Sequence, residues 1–237
     1  MKDAAQEPAG HDLRHDSFYG RRKGHALRAG QAETLVRVLG RLAIDTQTPA
    51  PDDLRVLFAP PVAGVALEIG FGAGEHLLHR ALTEPERGRI GVEPFLNGMA
   101  KAAAVIDAGS LGNLRLFDRD AAHLLDWLPP ASLETIDLLY PDPWPKRRHW
   151  KRRFVSADNL RRIARVLRPG GQFRFASDIA SYVDWTLLAV LSTGDFEWTA
   201  KDADDWRHPF PNWPGTRYEA KAIREGRRGT YLTFRRR

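Results

Sequence analysis

The chain of 237 residues contains no cysteine, which excludes disulfide bonds and thiolate metal sites and favours a reducing compartment. Its eight histidines show no pair at a spacing that would place two metal ligands on one helix face, so no metal is predicted. No segment approaches the ~20 consecutive apolar residues of a membrane span, and the first residues lack the apolar stretch of a signal peptide. We therefore expect a cytoplasmic protein without a membrane partner.

Positive charge is distributed unevenly along the chain. The formal net charge is +6, yet cations gather in three windows that contain no acidic residue, at 20–31, 146–153 and 226–237. These windows hold four, six and five Lys or Arg residues, which leaves a net charge of −9 on the remainder. A mildly acidic body with three basic segments predicts a polyanionic partner if the segments meet in space.

The order of apolar and amphipathic segments predicts an α/β fold. Residues 1–50 are interpreted as a flexible basic extension with one helix over 31–42, and residues 51–237 as a single domain. Strands are predicted at 65–69, 89–93, 114–117, 135–140 and 172–177, with helices between them. This alternation indicates a doubly wound, mostly parallel, seven-stranded sheet, and segments near 196–200 and 230–237 indicate an antiparallel end.

A glycine-rich turn follows the first predicted strand. Gly70, Gly72 and Gly74 alternate there, a pattern that lets a ligand approach the main chain. Glu75 stands where a dinucleotide fingerprint requires glycine, and its carboxylate would repel a pyrophosphate, which disfavours a nicotinamide-dependent oxidoreductase. The turn therefore favours a nucleoside cofactor without phosphates, although a purely structural turn is the alternative.

Acidic residues stand at or just beyond the ends of four successive predicted strands. Ligands of open parallel sheets bind at the carboxyl ends of strands, so these carboxylates define one crevice, suited to a cationic ligand. Glu93 is placed to accept ribose hydroxyls, whereas Asp120 is placed either to meet an adenine amino group or to cap the next helix. The four residues are Glu68, Glu93, Asp120 and Asp142.

The segment from Leu138 to Arg153, LLYPDPWPKRRHWKRR, joins Asp142 to a dense run of cations. Because residues before proline avoid the helical region, Tyr140, Asp142 and Trp144 are expected to have extended backbone. The cations are expected to grip phosphates rather than to form a merely solvated loop. They are Arg147, Arg148, Lys151, Arg152 and Arg153, together with Lys146.

The motifs EIGFGAG, GVEPF, NLRLFDRDA, LLYPDPWPKRRHWKRRF and GTRYE resemble, in order and spacing, those of the bacterial tRNA (guanine-N7-)-methyltransferases. The resemblance extends from Phe18 to the C-terminus. It implies a class I, Rossmann-like methyltransferase that uses S-adenosyl-L-methionine to methylate N7 of the variable-loop guanosine (position 46) of tRNA. Two departures are Pro94-Phe95 after Glu93, and Arg217-Tyr218 where Lys-Phe is commoner.

The same resemblance assigns roles to individual residues. It implies cofactor contacts at Glu68, Glu93, Asp120 and Asp142, beside the three glycines of the turn. It implies substrate contacts at Lys146, Asp178, Thr216, Arg217, Tyr218 and Glu219.

Guanine N7 has a free lone pair and no proton, so methyl transfer requires alignment and charge stabilisation but no general base. Asp142 is the candidate catalytic residue for stabilising the cationic product base. Trp144 and Tyr218 either stack on the target base or pack in the core. The alternatives are a methyltransferase of another RNA and a non-catalytic RNA-binding protein of the same fold, and the choice between monomer and homodimer stays open.

Overall fold

The computed structural model describes residues 19–109 and 111–237, and its central feature is one seven-stranded sheet. Residues 1–18 of the predicted flexible extension lie outside the described residues. The strands are β1 (Gly64–Ile69), β2 (Arg87–Val92), β3 (Leu114–Phe117), β4 (Leu133–Leu139), β5 (Leu167–Ser177), β6 (Phe196–Trp198) and β7 (Thr230–Arg236).

Helices flank the sheet and connect its parallel strands. Two short 3-10 segments, Leu54–Leu57 and Arg147–Arg152, supplement them. The helices are α1 (Ala29–Leu42), α2 (Glu75–Thr83), α3 (Leu96–Asp107), α4 (Ala121–Trp127), α5 (Ala157–Val166), α6 (Ala180–Thr193), α7 (Asp204–Arg207) and α8 (Arg217–Arg224). None of the helices in the described part of the chain is long and apolar enough to cross a membrane.

The strand order is β3-β2-β1-β4-β5-β7-β6, and β1 to β5 pair in parallel. β7 is antiparallel to both of its neighbours, β5 and β6. The predicted fold class is therefore confirmed. The antiparallel strand is not itself the edge, because β6 covers its outer side.

One face of the sheet is apolar along every central strand. Leu67 of β1, Ile136 of β4 and Phe173 of β5 are at most 1% exposed and belong to the main core. Because both neighbours of β1 are strands and helices cover the sheet, its six residues are all buried. This explains why the sequence of β1 is nearly continuous in apolar residues.

Helix α1 packs into the core of the domain. Leu35, Val38 and Leu42 are buried in one cluster with residues of α3 such as Met99. Beyond the helix, the Ile44 amide donates to the Leu116 carbonyl of β3 over 2.9 Å. Residues 29–44 therefore pack against the core of the domain that was predicted to begin at residue 51.

Candidate active site

The glycine turn between β1 and α2 borders the crevice, and Gly70 lines it. Gly70, Gly72 and Gly74 all have positive φ, at 73°, 64° and 87°, a conformation that side chains disfavour. Gly98 of α3 lies so close that a Cβ there would stand 2.5 Å from the Gly72 carbonyl oxygen. The sequence analysis missed Gly98, for which an isolated glycine inside a helical pattern was the available signal.

Glu93, just beyond β2, is held by the main chain on both sides. Its Oε2 accepts from the Gly72 amide at 2.6 Å and its Oε1 from the Phe95 amide at 2.8 Å. Burial nevertheless raises the pKa of Glu93 to about 7, because removal from water outweighs these two hydrogen bonds and the nearby charge of Arg217. The structure thus sets a pre-oriented carboxylate beside the turn, with an ionisation near neutral pH.

Asp120 and Asp142 lie at neighbouring points of the same cavity. Asp120 is buried and accepts from the Ala122 amide at 3.0 Å, so it caps α4 while it also lines the cavity. Asp142 is exposed to the crevice, and its partial enclosure there raises the pKa of its carboxyl above the usual value. Asp142 is therefore open to a ligand, whereas Asp120 holds a turn in place as well.

Glu68 is the acidic residue whose surroundings differ most from the expectation. It is 5% exposed, and its Oε2 lies 2.7 Å from Nδ1 of His76 in α2. Burial lowers the pKa of His76, but the charge of Glu68, its hydrogen bond and the charge of Asp137 together outweigh burial, so the pKa is raised. In this structure Glu68 anchors α2 to β1, and its contact with a cofactor stays a prediction.

The backbone of the proline-rich loop after β4 differs from the prediction of extended residues. Tyr140 and Trp144 have φ values of 49° and 44°, in the left-handed region. A proline that follows disfavours the right-handed helical region, and both residues leave it in the opposite direction from the one expected. Tyr140 is held there by its amide, which donates to the Ala176 carbonyl at 2.8 Å.

A buried hydrogen-bond chain connects this loop to the segment that precedes and begins α8. The hydroxyls of Tyr140 and Tyr231 lie 3.2 Å apart, and the Tyr231 hydroxyl donates to Glu219. Glu219 also accepts from the Trp213 indole at 2.7 Å. Because Glu219 is only 8% exposed, it is placed to hold the loop and α8 together rather than to face a substrate.

The other residues of the GTRYE motif, at 215–219, lie near the glycine turn. Thr216 caps α8 by accepting from the Glu219 amide at 3.1 Å. The guanidinium of Arg217 stacks on the ring of Tyr218, at 4.9 Å from its centroid, and a Cβ on Gly72 would stand 3.0 Å from it. Tyr218 is 45% exposed and lines the cavity, so it is accessible rather than packed in the core.

Residues 146–152, here called the basic clamp, form a 3-10 turn at the rim of the cavity. Arg152 lies over the rings of Trp144 and Tyr19, at 5.0 and 5.8 Å from their centroids. Lys146, Arg147, Arg148 and Lys151 are exposed. The clamp therefore presents exposed cations beside aromatic side chains.

Arg153 does not belong to this surface, which corrects its predicted role as a phosphate contact. It is 3% exposed, donates to the carbonyls of Pro143 and Ser181, and lies 4.5 Å from the ring centroid of Trp150. Its donors are occupied by the protein. Arg153 fastens the proline-rich loop to α6.

Asp178, one of the implied substrate contacts, pairs with a residue of this chain. Its Oδ2 accepts from Arg227 at 2.6 Å, whereas the resemblance implied a contact with the substrate, which stays a prediction. Two of the three basic windows converge, because Tyr19, Gly20 and Arg21 line the cavity beside the clamp. In the third window, Arg227 and Arg235 pair with Asp178 and Glu197.

The cavity that these elements enclose has a volume of about 480 Å³, within the range of small-molecule sites. Its acidic wall fits a nucleoside with a cationic side chain, and its rim fits a polyanion. Tyr19 and Phe95 were not proposed as site residues, since aromatic residues in a polar loop gave no pattern. The residues that line the cavity include Ile69, Gly70, Val92, Glu93, Pro94, Phe95, Asp120, Leu138, Asp142, Trp144, Asn159 and Tyr218.

Comparison with known proteins supports this interpretation of the geometry. A family model described as "Putative methyltransferase" matches residues 63–232. The tRNA (guanine-N(7)-)-methyltransferase of Mesorhizobium japonicum is 61% identical over 92% of this chain and 94% of its own length. The protein of the same name from Rhizobium meliloti is 59% identical over 93% of this chain and 95% of its own length.

Solved structures agree on the fold. The 16S rRNA methyltransferase KamB covers 74% of this chain and 88% of its own, with a TM-score of 0.52 and 21% identity. A 16S rRNA (adenine(1408)-N(1))-methyltransferase from Catenulisporales acidiphilia covers 74% of this chain and 85% of its own, with a TM-score of 0.50 and 15% identity. The sheet, the acidic crevice and the similarity to these relatives over nearly the whole length agree, and the chain belongs to the tRNA (guanine-N(7)-)-methyltransferase family.

Proposed function

We propose that this chain transfers a methyl group from S-adenosyl-L-methionine to N7 of the variable-loop guanosine at position 46 of tRNA. The observation that carries the proposal is the position of Asp142, which opens onto a cavity whose rim is the basic clamp. A cavity with carboxylates inside and cations outside fits a cationic cofactor beside a polyanionic substrate. The reaction requires both ligands at once.

The residues present fit the cofactor. Glu93 is oriented by two main-chain amides toward the position where ribose hydroxyls would donate. Asp120 lines the same cavity and presents its carboxylate to it, and Gly70 exposes main chain there. When bound, the cofactor supplies an electrophilic methyl group on a sulfonium.

The chemical step needs little from the protein besides alignment. The N7 lone pair forms the new nitrogen–carbon bond while the carbon–sulfur bond breaks, and the positive charge moves from sulfur to the base. No proton is transferred, so the pocket needs no general base. Asp142 stabilises the charge that develops on the base, since a fixed carboxylate in an enclosed site interacts strongly with it.

The aromatic side chains at the entrance are placed to receive an extruded base. Tyr218 is accessible and is backed by the Arg217 guanidinium, and Trp144 is backed by Arg152. Stacking on such rings compensates for the stacking that the target guanosine loses when it leaves the tRNA interior. Lys146 and the exposed arginines of the clamp bind phosphates on either side.

The roles within the late motif divide between positioning and contact. Tyr218 lines the cavity with Arg217 stacked on its ring, whereas Glu219 is enclosed by Trp213 and Tyr231. We assign Glu219 to positioning the proline-rich loop through Tyr231 and Tyr140, and Thr216 to capping α8.

The decisive experiment is transfer of labelled methyl from S-adenosyl-L-methionine to an unmodified tRNA transcript, followed by cleavage specific for 7-methylguanosine. We expect cleavage at one variable-loop guanosine and none when that base is replaced by adenosine. Methylation that survives the replacement would assign another target. Cofactor binding without any tRNA methylation would contradict the proposal and direct the search to other RNAs.

The cellular location is part of the proposal. An enzyme that modifies tRNA meets its substrate in the cytoplasm, and fractionation should recover the chain with the cytoplasmic fraction. Recovery in the membrane fraction after a salt wash would contradict this.

A further inference from the structure

A second cavity, of about 300 Å³, lies at the opposite end of the sheet from the crevice. It is bounded by residues near the beginnings of β1, β2, β4 and β5 and by the last turn of α2. The crevice just described lies at the carboxyl ends of the strands, so the two are separate. This second cavity is here called the arginine cavity.

The lining of the arginine cavity is unbalanced in charge. Five arginines line it, against two glutamates, which gives a net charge of +3. Glu84 pairs with Arg80 at 2.6 Å and also with Arg89, and Glu134 pairs with Arg168 at 2.9 Å and also with Arg87. The remaining arginine, Arg174, is held by the Gln172 amide oxygen at 2.9 Å, which carries no charge.

Two of these arginines are buried, which makes the imbalance costly. Arg89 is 4% exposed and Arg80 is 9% exposed. The Nε atoms of both have no hydrogen-bond partner in the described part of the chain. Burial lowers the pKa of Arg89, against the raising effect of the charges of Asp137, Glu84 and Glu68 around it.

The polar lining of the arginine cavity belongs to one face of the sheet. β1, β4 and β5 place Ala66, Thr135 and Gln172 in one row of paired residues and Glu68, Asp137 and Arg174 in the next. The other face of the same strands carries the apolar core. A doubly wound sheet usually buries apolar side chains on both faces, whereas this row is polar: Glu68 pairs with His76 inside the protein, and Arg174 lines the cavity.

We propose that the arginine cavity binds a small oligophosphate anion of the pyrophosphate class, independently of the cofactor crevice. Guanidinium groups suit phosphate oxygens because they donate two parallel hydrogen bonds and stay charged. The volume is that of a small ligand site, too small for a nucleic-acid segment. Arg87, Arg168 and Arg174 are the accessible donors, while Arg80 and Arg89 supply charge from the interior.

The test is calorimetric titration of the full chain with pyrophosphate, in chloride buffer of constant ionic strength. Arg168→Gln removes one accessible cation of the cavity, and Arg148→Gln removes one from the clamp. Both sites are exposed on the surface, and thermal unfolding of each variant checks the fold. We expect Arg168→Gln to weaken binding about tenfold, the scale of one hydrogen bond to a charged group, and Arg148→Gln to leave it unchanged.

A second variant keeps the test decisive if Arg168→Gln unfolds at a lower temperature than the wild type. Arg87→Gln is then used in its place, with the same expectation. Three results would overturn the proposal: no binding up to about 5 mM, equal weakening by the cavity and clamp variants, or weakening by the clamp variant alone. The last two would identify general attraction to the basic surface.

Discussion

The floor of the cofactor crevice is made of carboxylates, of which main-chain amides hold Glu93 and Asp120, whereas its rim is made of cations, of which Arg152 lies over aromatic rings. Glu93 is fixed by the amides of Gly72 and Phe95, and burial raises its pKa to about 7. Arg152 rests on Trp144 and Tyr19 at the rim, and Arg148 beside it is exposed. This difference indicates that the floor is pre-organised for one ligand and one chemical step, whereas the rim is suited to many phosphate arrangements.

Removing the charge of Asp142 tests the floor at the point where it meets the substrate. We expect Asp142→Asn to lower kcat by about 100-fold or more, the scale for losing one pre-organised electrostatic contact to a transition state. The Kd for tRNA should change less than about threefold, because the clamp is untouched. Single-turnover kinetics and filter binding measure the two quantities.

The matched control for this variant is Asp52→Asn, an exposed aspartate outside the lining of the crevice. It should leave both quantities unchanged. Equal losses in turnover and tRNA affinity for Asp142→Asn would show that the floor and the rim are not functionally separate.

Glu93→Gln tests the cofactor side of the floor. We expect the Kd for S-adenosyl-L-methionine to rise about 10- to 100-fold, as for loss of hydrogen bonds to a charged acceptor. In the wild type, cofactor affinity should increase as pH rises through about 7, because hydroxyl donors favour the ionised carboxylate. Calorimetry across pH 6 to 8 measures both effects, and exposed Glu86→Gln serves as the control.

The stability of the cofactor-free protein should change in the opposite direction. The pKa of Glu93 is raised in the folded state, from a usual value of 4.5 to about 7. Its contribution to stability is therefore fully present below about pH 4.5 and is lost as the pH rises through about 7.

A pH profile of cofactor affinity that is the same in the wild type and in Glu93→Gln would remove Glu93 from the cofactor site.

Tyr231→Phe tests whether the floor depends on the buried chain behind it. It removes the hydroxyl that joins Tyr140 to Glu219 and so frees the loop that carries Asp142. We expect kcat to fall about tenfold with little change in tRNA affinity, since misplacement of reacting groups affects rate.

The control is Tyr182→Phe, which removes another buried hydroxyl, one that accepts from the Val155 amide at 3.4 Å. Both variants should lose some thermal stability, but only Tyr231→Phe should lose turnover. Similar kcat values in the two variants would show that the hydrogen bonds among Tyr140, Tyr231 and Glu219 have a purely structural role.

The smallest effect is expected at the rim. Arg148→Ala should weaken tRNA binding several-fold and reduce the slope of log K against log salt by about one, the value for one phosphate contact. Exposed Arg55, which pairs with Asp53, is the control position. Arg153→Ala should lower stability without changing this slope, because Arg153 is buried. A slope that Arg148→Ala leaves unchanged would show that the clamp does not grip phosphates.

Much of the fold was predictable because the local patterns and the tertiary structure favour the same elements. The strand at 114–117 was predicted at its observed bounds, and the predicted helix at 31–42 begins two residues earlier in the structure, at Ala29. The place of β7 between β5 and β6 was not predictable, since β6 has only three residues and pairs through contacts distant in sequence.

The candidate site was predictable where chemistry depends on residue type and strand position. Glu93, Asp120 and Asp142 line one cavity because the ends of parallel strands meet at one edge of the sheet. Glu68 pairs with His76 and Arg153 lies inside, and neither outcome follows from residue type. Charged side chains in one short run can face opposite directions, and only packing decides which of them water can reach.

The sequence by itself determined the parallel sheet, the glycine turn, the row of acidic strand ends and the density of cations after Pro145, because these depend on periodicity and on residue type. Only the tertiary structure decided which two basic windows meet, how Tyr140 and Trp144 turn the proline-rich loop, and that five arginines enclose a cavity at the far end of the sheet. These depend on contacts between residues far apart in the chain, whose free energies no local pattern records.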